Sequence, residues 1–331
     1  MFLRRFAFGA LVGLLLCGGL ANAQSAKEIK IGWTTGDGET DPYAITARQF
    51  AAALEELAPG RFQVRFFPNR QLGDEREMLE NISLGVQDAG ALTGTAIATM
   101  ESAFQLNDLP FLYNNAAQAH QLLDGPVGQR MLEKLAARGI VGLGFAEGGF
   151  RHTINNVRPI QKPEDFQGIR FRVQPSNLFV DAFAALGASP TPMAWGEVFT
   201  AVQQGAIDGL EIPLTVMAAN KYYEATKYLS LTGHAYNAIA LVVSQRFMSS
   251  LSAEDQEIVR KAAKQAIARQ REINGRNQTI TLQELASKGM QVNEIENPSA
   301  FQEKLTPVYE AYRDTIGRDL VDQALKELGR N

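Results

Sequence analysis

The side chains that most often perform catalysis are scarce in this sequence. The 331 residues contain one cysteine, Cys17, and three histidines, His120, His152 and His234, which show no metal-ligand spacing. A single cysteine excludes an internal disulfide and a zinc site built on cysteines. No nucleophile or carboxylate accompanies His152 in the sequence, so we expect a hydrogen-bonded or surface histidine there. The commonest pairs of nucleophile and base are therefore missing.

Longer catalytic and cofactor motifs are absent from the sequence as well. It contains no G-x-S-x-G elbow, no P-loop and no H-E-x-x-H pair. The glycines of residues 142–148 miss the dinucleotide fingerprint by one position, and the acidic residues at 37–41 lack the remaining spacing of a calcium loop. We therefore expect no enzymatic activity, no cofactor and no metal ion. Carboxylates alone can catalyse, so an exported hydrolase or lyase stays the alternative.

Composition and charge exclude several other classes of protein. The chain is 45% apolar, 21% charged and 8% aromatic, as in ordinary globular proteins rather than disordered or collagen-like ones. Its 32 Lys and Arg residues against 36 Asp and Glu give a net charge of −4, and no basic run follows residue 5. We therefore expect no binding to nucleic acid. The length suggests about two domains.

The first 23 residues have the pattern of a secretory signal peptide. Arg4 and Arg5 are followed by an apolar stretch at 6–16 and by the small-x-small triplet Ala21-Asn22-Ala23. The apolar stretch is shorter than a membrane-spanning helix, so a cleaved signal peptide is a better interpretation than an uncleaved membrane anchor. Leu16 before Cys17 also argues against a lipoprotein. We expect cleavage near Ala23 and export of a cysteine-free protein, most simply to a bacterial periplasm.

Two segments of the chain repeat the same order of elements. The apolar patterns predict strand, helix, strand, helix, strand at 28–33, 41–57, 62–67, 74–84 and 86–92. A strand at 169–173, a helix at 176–186, a connection at 188–192, a helix at 194–204 and a strand at 206–212 follow later. The segments LGVQDAGAL at 84–92 and QGAIDGLEI at 204–212 align Gly85 with Gly205 and Asp88 with Asp208. Two such α/β lobes would hold a ligand between their loops, although any α/β protein contains units of this kind.

The last third of the chain differs from the two repeated segments. A strand is predicted at 238–244, and Ser252 begins a helical pattern that continues to about Ser287 without a proline. A helix of that length spans about 50 Å, more than one small domain, so it would have to brace two. Gly275 is the position at which we would expect a kink. A final helical region is predicted at 299–329.

Long segments of the sequence resemble the DctP-type extracytoplasmic solute receptors of TRAP (tripartite ATP-independent periplasmic) transporters. The resemblance runs from about residue 27 to the carboxyl terminus. It is carried by QLGDEREMLENISLGVQD at 71–88, LNDLPFLY at 106–113, GGFRHTINNVRPI at 148–160, PEDFQGIRFRVQPS at 163–176 and GASPTPMAWGEVFTAVQQGAIDGLEIP at 187–213.

This resemblance implies an α/β, two-lobed periplasmic-binding-protein-like fold (type II), with a ligand cleft and a long bracing helix. We expect residues 24–148 and about 238–277 to form the first lobe. Residues 149–237 and about 278–331 would form the second.

The resemblance also assigns candidate binding residues. The family usually binds an organic acid through an arginine that matches Arg172, and a second family arginine matches Arg151. Arg172 shares one side of its predicted strand with Arg170 but lies nearer the carboxyl end, and its planar guanidinium can hold a carboxylate by two parallel hydrogen bonds. The other implied ligand-binding positions are Trp33, Thr34, Ala91, Thr93, Trp195, Glu211, Ile212 and His234.

Two positions depart from patterns common in the family. Many members carry asparagine where this chain has Ile212, and sialic-acid-binding members carry an acid where it has Thr93. Both changes favour a carboxylate less polar than a heavily hydroxylated sugar acid. A C4-dicarboxylate stays an alternative, with Arg151 binding its second carboxylate.

The function implied is capture of an organic anion between two lobes, without a change in its bonds. The protein would deliver the anion to a TRAP permease, made of a small four-helix and a large multi-span membrane subunit. We expect a monomer. A ligand-sensing receptor with a signalling partner stays a further alternative.

Overall fold

The structure is a computed structural model, and it describes residues 26–330. The predicted signal peptide, residues 1–23, lies outside the described residues. Between residues 26 and 330 the chain forms nine strands and twelve helices, with a few short 3-10 turns.

The strands are β1 Lys27–Gly32, β2 Phe62–Phe67, β3 Ala89–Thr93, β4 Ile140–Asn155, β5 Arg170–Val173, β6 Ser189–Pro192, β7 Gly209–Pro213, β8 Tyr228–Ser244 and β9 Gln291–Glu294. The helices are α1 Pro42–Leu57, α2 Glu75–Leu84, α3 Gly94–Ala98, α4 Ala116–Asp124, α5 Pro126–Lys134, α6 Asn177–Ala185, α7 Trp195–Gln203, α8 Leu214–Ala219, α9 Gln245–Ser250, α10 Ala253–Ser287, α11 Pro298–Ile316 and α12 Arg318–Glu327.

One mixed sheet joins two similar halves, in the order β2-β1-β3-β8-β4-β7-β5-β6, with β9 beside β8. In the first half β1 lies between β2 and β3, and all three are parallel. In the second half β5 lies in the same way between β6 and β7. The long antiparallel strands β4 and β8 connect the halves. We call the halves, with their helices and loops, the first and the second lobe.

Matched hydrogen bonds show that the two lobes repeat one design. The carboxylate of Asp88 accepts the backbone N–H of Lys30 at 2.9 Å, and that of Asp208 accepts the backbone N–H of Arg170 at 2.9 Å. Gly85 and Gly205 both have a positive φ, 73° and 69°, which glycine adopts at little cost after a helix. The internal repeat predicted from residues 84–92 and 204–212 is confirmed.

The buried side chains form two clusters, one on each face of the sheet. One contains Phe171 and Phe301 and lies under α2, α4, α5, α6, α11 and α12. The other contains Phe50 and Leu241 and lies under α1, α7, α8, α9 and α10. Neighbouring residues of a strand alternate between them, as Leu241 and Val242 do. Because each cluster crosses from one lobe to the other, burial of apolar surface holds the lobes together.

The long helix was predicted correctly. It begins after Ser252, whose hydroxyl caps it by accepting the N–H of Asp255, and it continues through Gly275 to Ser287. It packs on α1, α8 and β4. The side chain of Gln270 accepts the N–H of Glu147 at 2.9 Å and donates to its carbonyl at 2.7 Å, where β4 and β8 shift register. The helix therefore braces both lobes at the strands that connect them.

The central strands and one edge strand differ from the prediction. β8 begins at Tyr228, ten residues before the predicted strand, and β4 was not predicted because its residues 142–149 are rich in glycine, which has a low β propensity. The predicted connection at 188–192 contains β6, an edge strand in which Pro190 and Pro192 are tolerated because its outer side needs no donor. The lobe boundary between residues 148 and 149 stays a prediction, since it falls inside the continuous strand β4.

Candidate ligand-binding site

A cavity of about 510 Å³ lies between the lobes at the carboxyl ends of β1, β3, β5, β6 and β7. Strand ends of this kind are the usual ligand sites of α/β sheets. Its walls are formed by Thr34, Thr35, Tyr43, Asp74, Glu75, Arg76, Glu77, Thr93, Thr95, Ala96 and Thr99 on the first-lobe side, by Arg172, Gln174, Pro175, Ala194, Trp195, Ile212, Pro213 and Val216 on the second-lobe side, and by Arg151 of β4.

Arg172 is a buried cation without an ion-pair partner among residues 26–330. It is 3% exposed, near the end of β5. Its Nε and Nη2 donate to the carbonyl of Met193 at 2.9 and 2.7 Å. Burial lowers the pKa of Arg172 to about 10, so the guanidinium stays charged at neutral pH. A buried charge is costly unless paired, so this position favours an anion in the cavity.

Arg151, in contrast, is neutralised by the protein itself. Its Nε and Nη2 both donate to the carboxylate of Glu211, the latter at 2.9 Å, and its Nη1 donates to the amide oxygen of Asn237 at 3.2 Å. Burial alone would raise the pKa of Glu211, but the charge of Arg151 and the nearby ring of His234 hold it well below its usual range. Arg151 therefore contributes shape and hydrogen bonds to the cavity without net charge.

A carboxylate that the sequence did not single out forms part of the first-lobe wall. Glu75 begins α2, and its two oxygens accept the N–H of Thr93 at 2.7 Å and its hydroxyl at 2.9 Å. Burial raises the pKa of the Glu75 carboxyl. In the sequence, Glu75 resembles the acids that stabilise the first turn of many helices. The sequence feature that could have identified Glu75 is its position in segment 71–88, one of the segments that resemble the family.

The structure places six of the ten candidate residues on the cavity wall: Thr34, Thr93, Arg151, Arg172, Trp195 and Ile212. The other four do not line it. Trp33 is fully buried and donates to the carbonyl of Gly36, and Ala91, a residue of β3, lies in the core. Glu211 lies behind Arg151, and the Nε2 of His234 is 3.5 Å from its carboxylate. Glu211 thus contacts Arg151 on the cavity wall, and His234 lies beside Glu211.

Arg170 and His152 have structural partners. Arg170 is half-exposed and binds Asp208 with two side-chain hydrogen bonds, so only Arg172 faces the cavity. His152 accepts the N–H of Gly233 at 3.1 Å, as a satisfied polar histidine does.

Two further features are absent from residues 26–330. No helix there combines the length and hydrophobicity needed to cross a membrane. In the same part of the chain, no three His, Cys, Asp or Glu side chains lie close enough together to hold a metal ion.

Comparisons with known proteins agree with this geometry. Residues 34–315 match the family DctP, described as bacterial extracellular solute-binding protein, family 7. A solute-binding protein of Verminephrobacter eiseniae is 33% identical over 92% of this chain and 90% of its own.

Two solved structures are similar over most of their length. A TRAP periplasmic solute-binding protein from Polaromonas bound to D-erythronate has a TM-score of 0.87 at 33% identity, covering 90% of this chain and 98% of that one. The sugar acid binding protein of Advenella mimigardefordensis in complex with galactonate has a TM-score of 0.88 at 30% identity, covering 92% and 98%. The predicted two-lobed α/β fold is confirmed. The chain belongs to the DctP family of bacterial extracellular solute-binding proteins.

Proposed function

We propose that this protein binds a small organic acid between its lobes, with the acid's carboxylate on Arg172. The observation that carries the proposal is a buried guanidinium without an ion-pair partner among residues 26–330, on the wall of the cavity between the lobes. The Nη1 of Arg172 donates to no protein group among residues 26–330, which leaves it available to the ligand. Because the ligand contacts both lobes, its binding favours their closed arrangement.

The charges around the cavity favour a ligand with one carboxylate. Arg151 is neutralised by Glu211, so it offers no free charge to a second carboxylate. Glu75 adds a carboxylate to the opposite wall, where it repels a second anionic group and accepts a hydrogen bond from a hydroxyl. The threonines of that wall can also form hydrogen bonds with hydroxyl groups of the ligand. The apolar side chains of Trp195 and Ile212 favour contact with its carbon atoms. We therefore favour a hydroxylated monocarboxylate over a C4-dicarboxylate. This departs from the less polar carboxylate expected from Ile212 and Thr93, because Glu75 and the threonines supply hydrogen-bonding groups to the first-lobe wall. The D-erythronate and galactonate of the two similar structures are hydroxylated monocarboxylates.

The proposed function also includes export of the protein and delivery of its ligand to a membrane permease. Residues 1–23 direct the chain to the periplasm and are removed near Ala23, and the monomeric protein hands its ligand to the two membrane subunits of a TRAP permease. The family match supports this role. Mass spectrometry of periplasmic protein tests the processing: the chain should begin near Gln24, and retention of Cys17 would contradict it.

A thermal-shift screen over a library of carboxylates tests the binding function. A ligand at 100 times its dissociation constant stabilises a protein by about 2.7 kcal/mol, which shifts the unfolding midpoint by several degrees. We expect D-erythronate or another hydroxylated monocarboxylate to give the largest shift, and succinate a smaller one. NMR of the ligand after incubation should show it unchanged. Stabilisation by none of the acids would contradict the proposal, and conversion of the ligand would support an enzyme instead.

A further inference from the structure

Arg70 of the first lobe lies directly on α7 of the second lobe. A Cβ atom built at Gly196, the second residue of α7, would be 1.5 Å from the Nη1 of Arg70 and 2.2 Å from its Cζ. The guanidinium thus occupies the space that any side chain at position 196 would need. The contact bridges the two lobes beside the cavity, because Trp195 on its wall precedes Gly196 in the chain.

The loop that carries Arg70 is held in an uncommon conformation. Asn69 and Arg70 both have positive φ, 53° and 60°, which costs a residue with a side chain about 1 kcal/mol or more. Hydrogen bonds to the end of β1 hold this turn: the N–H of Asn69 donates to the carbonyl of Thr35 at 2.9 Å, and that of Arg70 to the carbonyl of Trp33 at 3.2 Å. The backbone therefore presents the Arg70 side chain from a fixed base.

Ion pairing does not explain why the guanidinium lies on α7. Within residues 26–330 its only ion pair is a long one within the first lobe, 3.8 Å from Nη1 to Asp74. The positive end of the α7 dipole is nearby and repels a cation, although Glu197 in the first turn opposes this. The bare backbone at Gly196 is what lets the planar group fit.

The contact is linked to the proposed carboxylate site by a short path. Gly196 follows Met193 by three residues, and the carbonyl of Met193 holds both the Nε and the Nη2 of Arg172. A shift of the beginning of α7 would therefore move the group that orients Arg172. It would also move Trp195, which lines the cavity.

We propose that Arg70 is a positioning residue that fastens the closed lobes by fitting onto Gly196, and that this contact slows release of the ligand. The proposal rests on the proposed binding function. Arg70 is not among the residues that line the cavity, so it acts through α7 rather than by touching the ligand.

A pair of substitutions separates this role from a general effect on folding. Gly196→Ala places a methyl group where the guanidinium lies, so the flexible end of the Arg70 side chain must move away, and we expect D-erythronate binding to weaken a few-fold. Most of the change should be in the dissociation rate, because the lobes can still meet the ligand when open. Arg70→Asn, which tolerates the positive φ, should speed dissociation only a few-fold. Combining the two should add nothing to the effect of Arg70→Asn alone, because the methyl group no longer meets a guanidinium.

Gly275→Ala is the matched control, since no atom lies within 4 Å of a Cβ at this helical glycine. Stopped-flow fluorescence with D-erythronate, and with galactonate in parallel, measures both rates. Wild-type binding beside an unaffected Gly196→Ala variant, or effects of the two substitutions that add in the double variant, would contradict the proposed Arg70–Gly196 contact but not the binding function. A wild type that binds none of the carboxylates would contradict the proposed function. It would also contradict the proposed role of the Arg70–Gly196 contact, because that role is to slow release of a bound ligand.

Discussion

The guanidinium of Arg151 and the carboxylate of Glu211 form a buried ion pair behind the cavity, with Nη2 2.9 Å from Oε1 and a second bond from Nε. The two residues come from neighbouring strands, β4 and β7, and both side chains are buried. The pair cancels one of the two arginine charges at the cavity, so Arg172 is the arginine that we propose binds the anion.

Glu211→Gln should destabilise the protein strongly. The substitution keeps the shape of the side chain but leaves the charge of Arg151 buried without a partner, which costs about 3–5 kcal/mol. Replacing both residues by apolar ones, Arg151→Met with Glu211→Leu, should cost less than Glu211→Gln alone. Urea unfolding measures both. Equal urea midpoints for wild type and Glu211→Gln would show that Glu211 does not compensate a buried charge on Arg151.

Glu75→Gln should change the choice of ligand. The variant removes the negative charge from the first-lobe wall while keeping hydrogen-bonding atoms there, so succinate should gain about 10-fold in affinity relative to D-erythronate. Glu80→Gln, an exposed position on the same helix, is the control. Competition binding measures the ratio of the two affinities. If the ratio stays at its wild-type value in both variants, Glu75 does not discriminate against a second carboxylate.

Asp108 should make stability depend on pH. Its carboxyl is buried and accepts the hydroxyl of Thr95 at 2.7 Å, and burial raises its pKa to about 7. Because the folded state holds this proton more tightly than the unfolded state, the free energy of unfolding falls as pH rises from about 4 to about 7. Asp108→Asn should remove about 3 kcal/mol of that fall.

The readout for this prediction is denaturation at pH 5 and pH 8. Asp41, whose pKa burial raises to about 6, adds a fall of the same sign, so the variant is compared with wild type at each pH. If the difference between the two proteins is the same at both pH values, the Asp108 carboxyl does not titrate in this range.

The sequence predicted the elements that repeat and missed those that depend on distant partners. Gly85 and Gly205, with Asp88 and Asp208, were visible because each pair recurs at one spacing and meets a local need: a positive φ, or an acceptor for a neighbouring strand. The strand β4 has no such local signal. Its glycine-rich residues, 142–149, form a strand because β8 pairs with them, while β7 pairs with the later residues 151–155.

The cavity was predictable in part for the same reason. Arg172 could be named from its strand and from the family resemblance, but its lack of an ion-pair partner depends on packing. The partnership of Arg151 with Glu211 joins residues 60 positions apart, and it exists only because of the register between β4 and β7. Glu75 looked like an ordinary acid in a first turn until β3 placed Thr93 against it.

The most direct test of the account is the affinity of Arg172→Ala for the acid that stabilises the wild type most. Removing one member of a buried charged pair costs about 2–5 kcal/mol, so binding should weaken about 30-fold to several thousand-fold. Arg172→Lys keeps the charge but loses the parallel hydrogen bonds, and it should fall between wild type and Arg172→Ala.

Isothermal titration calorimetry on the folded variants measures these affinities. Arg151→Ala, corrected for its folded fraction, should cost less affinity than Arg172→Ala, because Glu211 already neutralises Arg151. An Arg172→Ala variant that binds the acid as tightly as the wild type would contradict the central claim that this guanidinium holds the ligand's carboxylate.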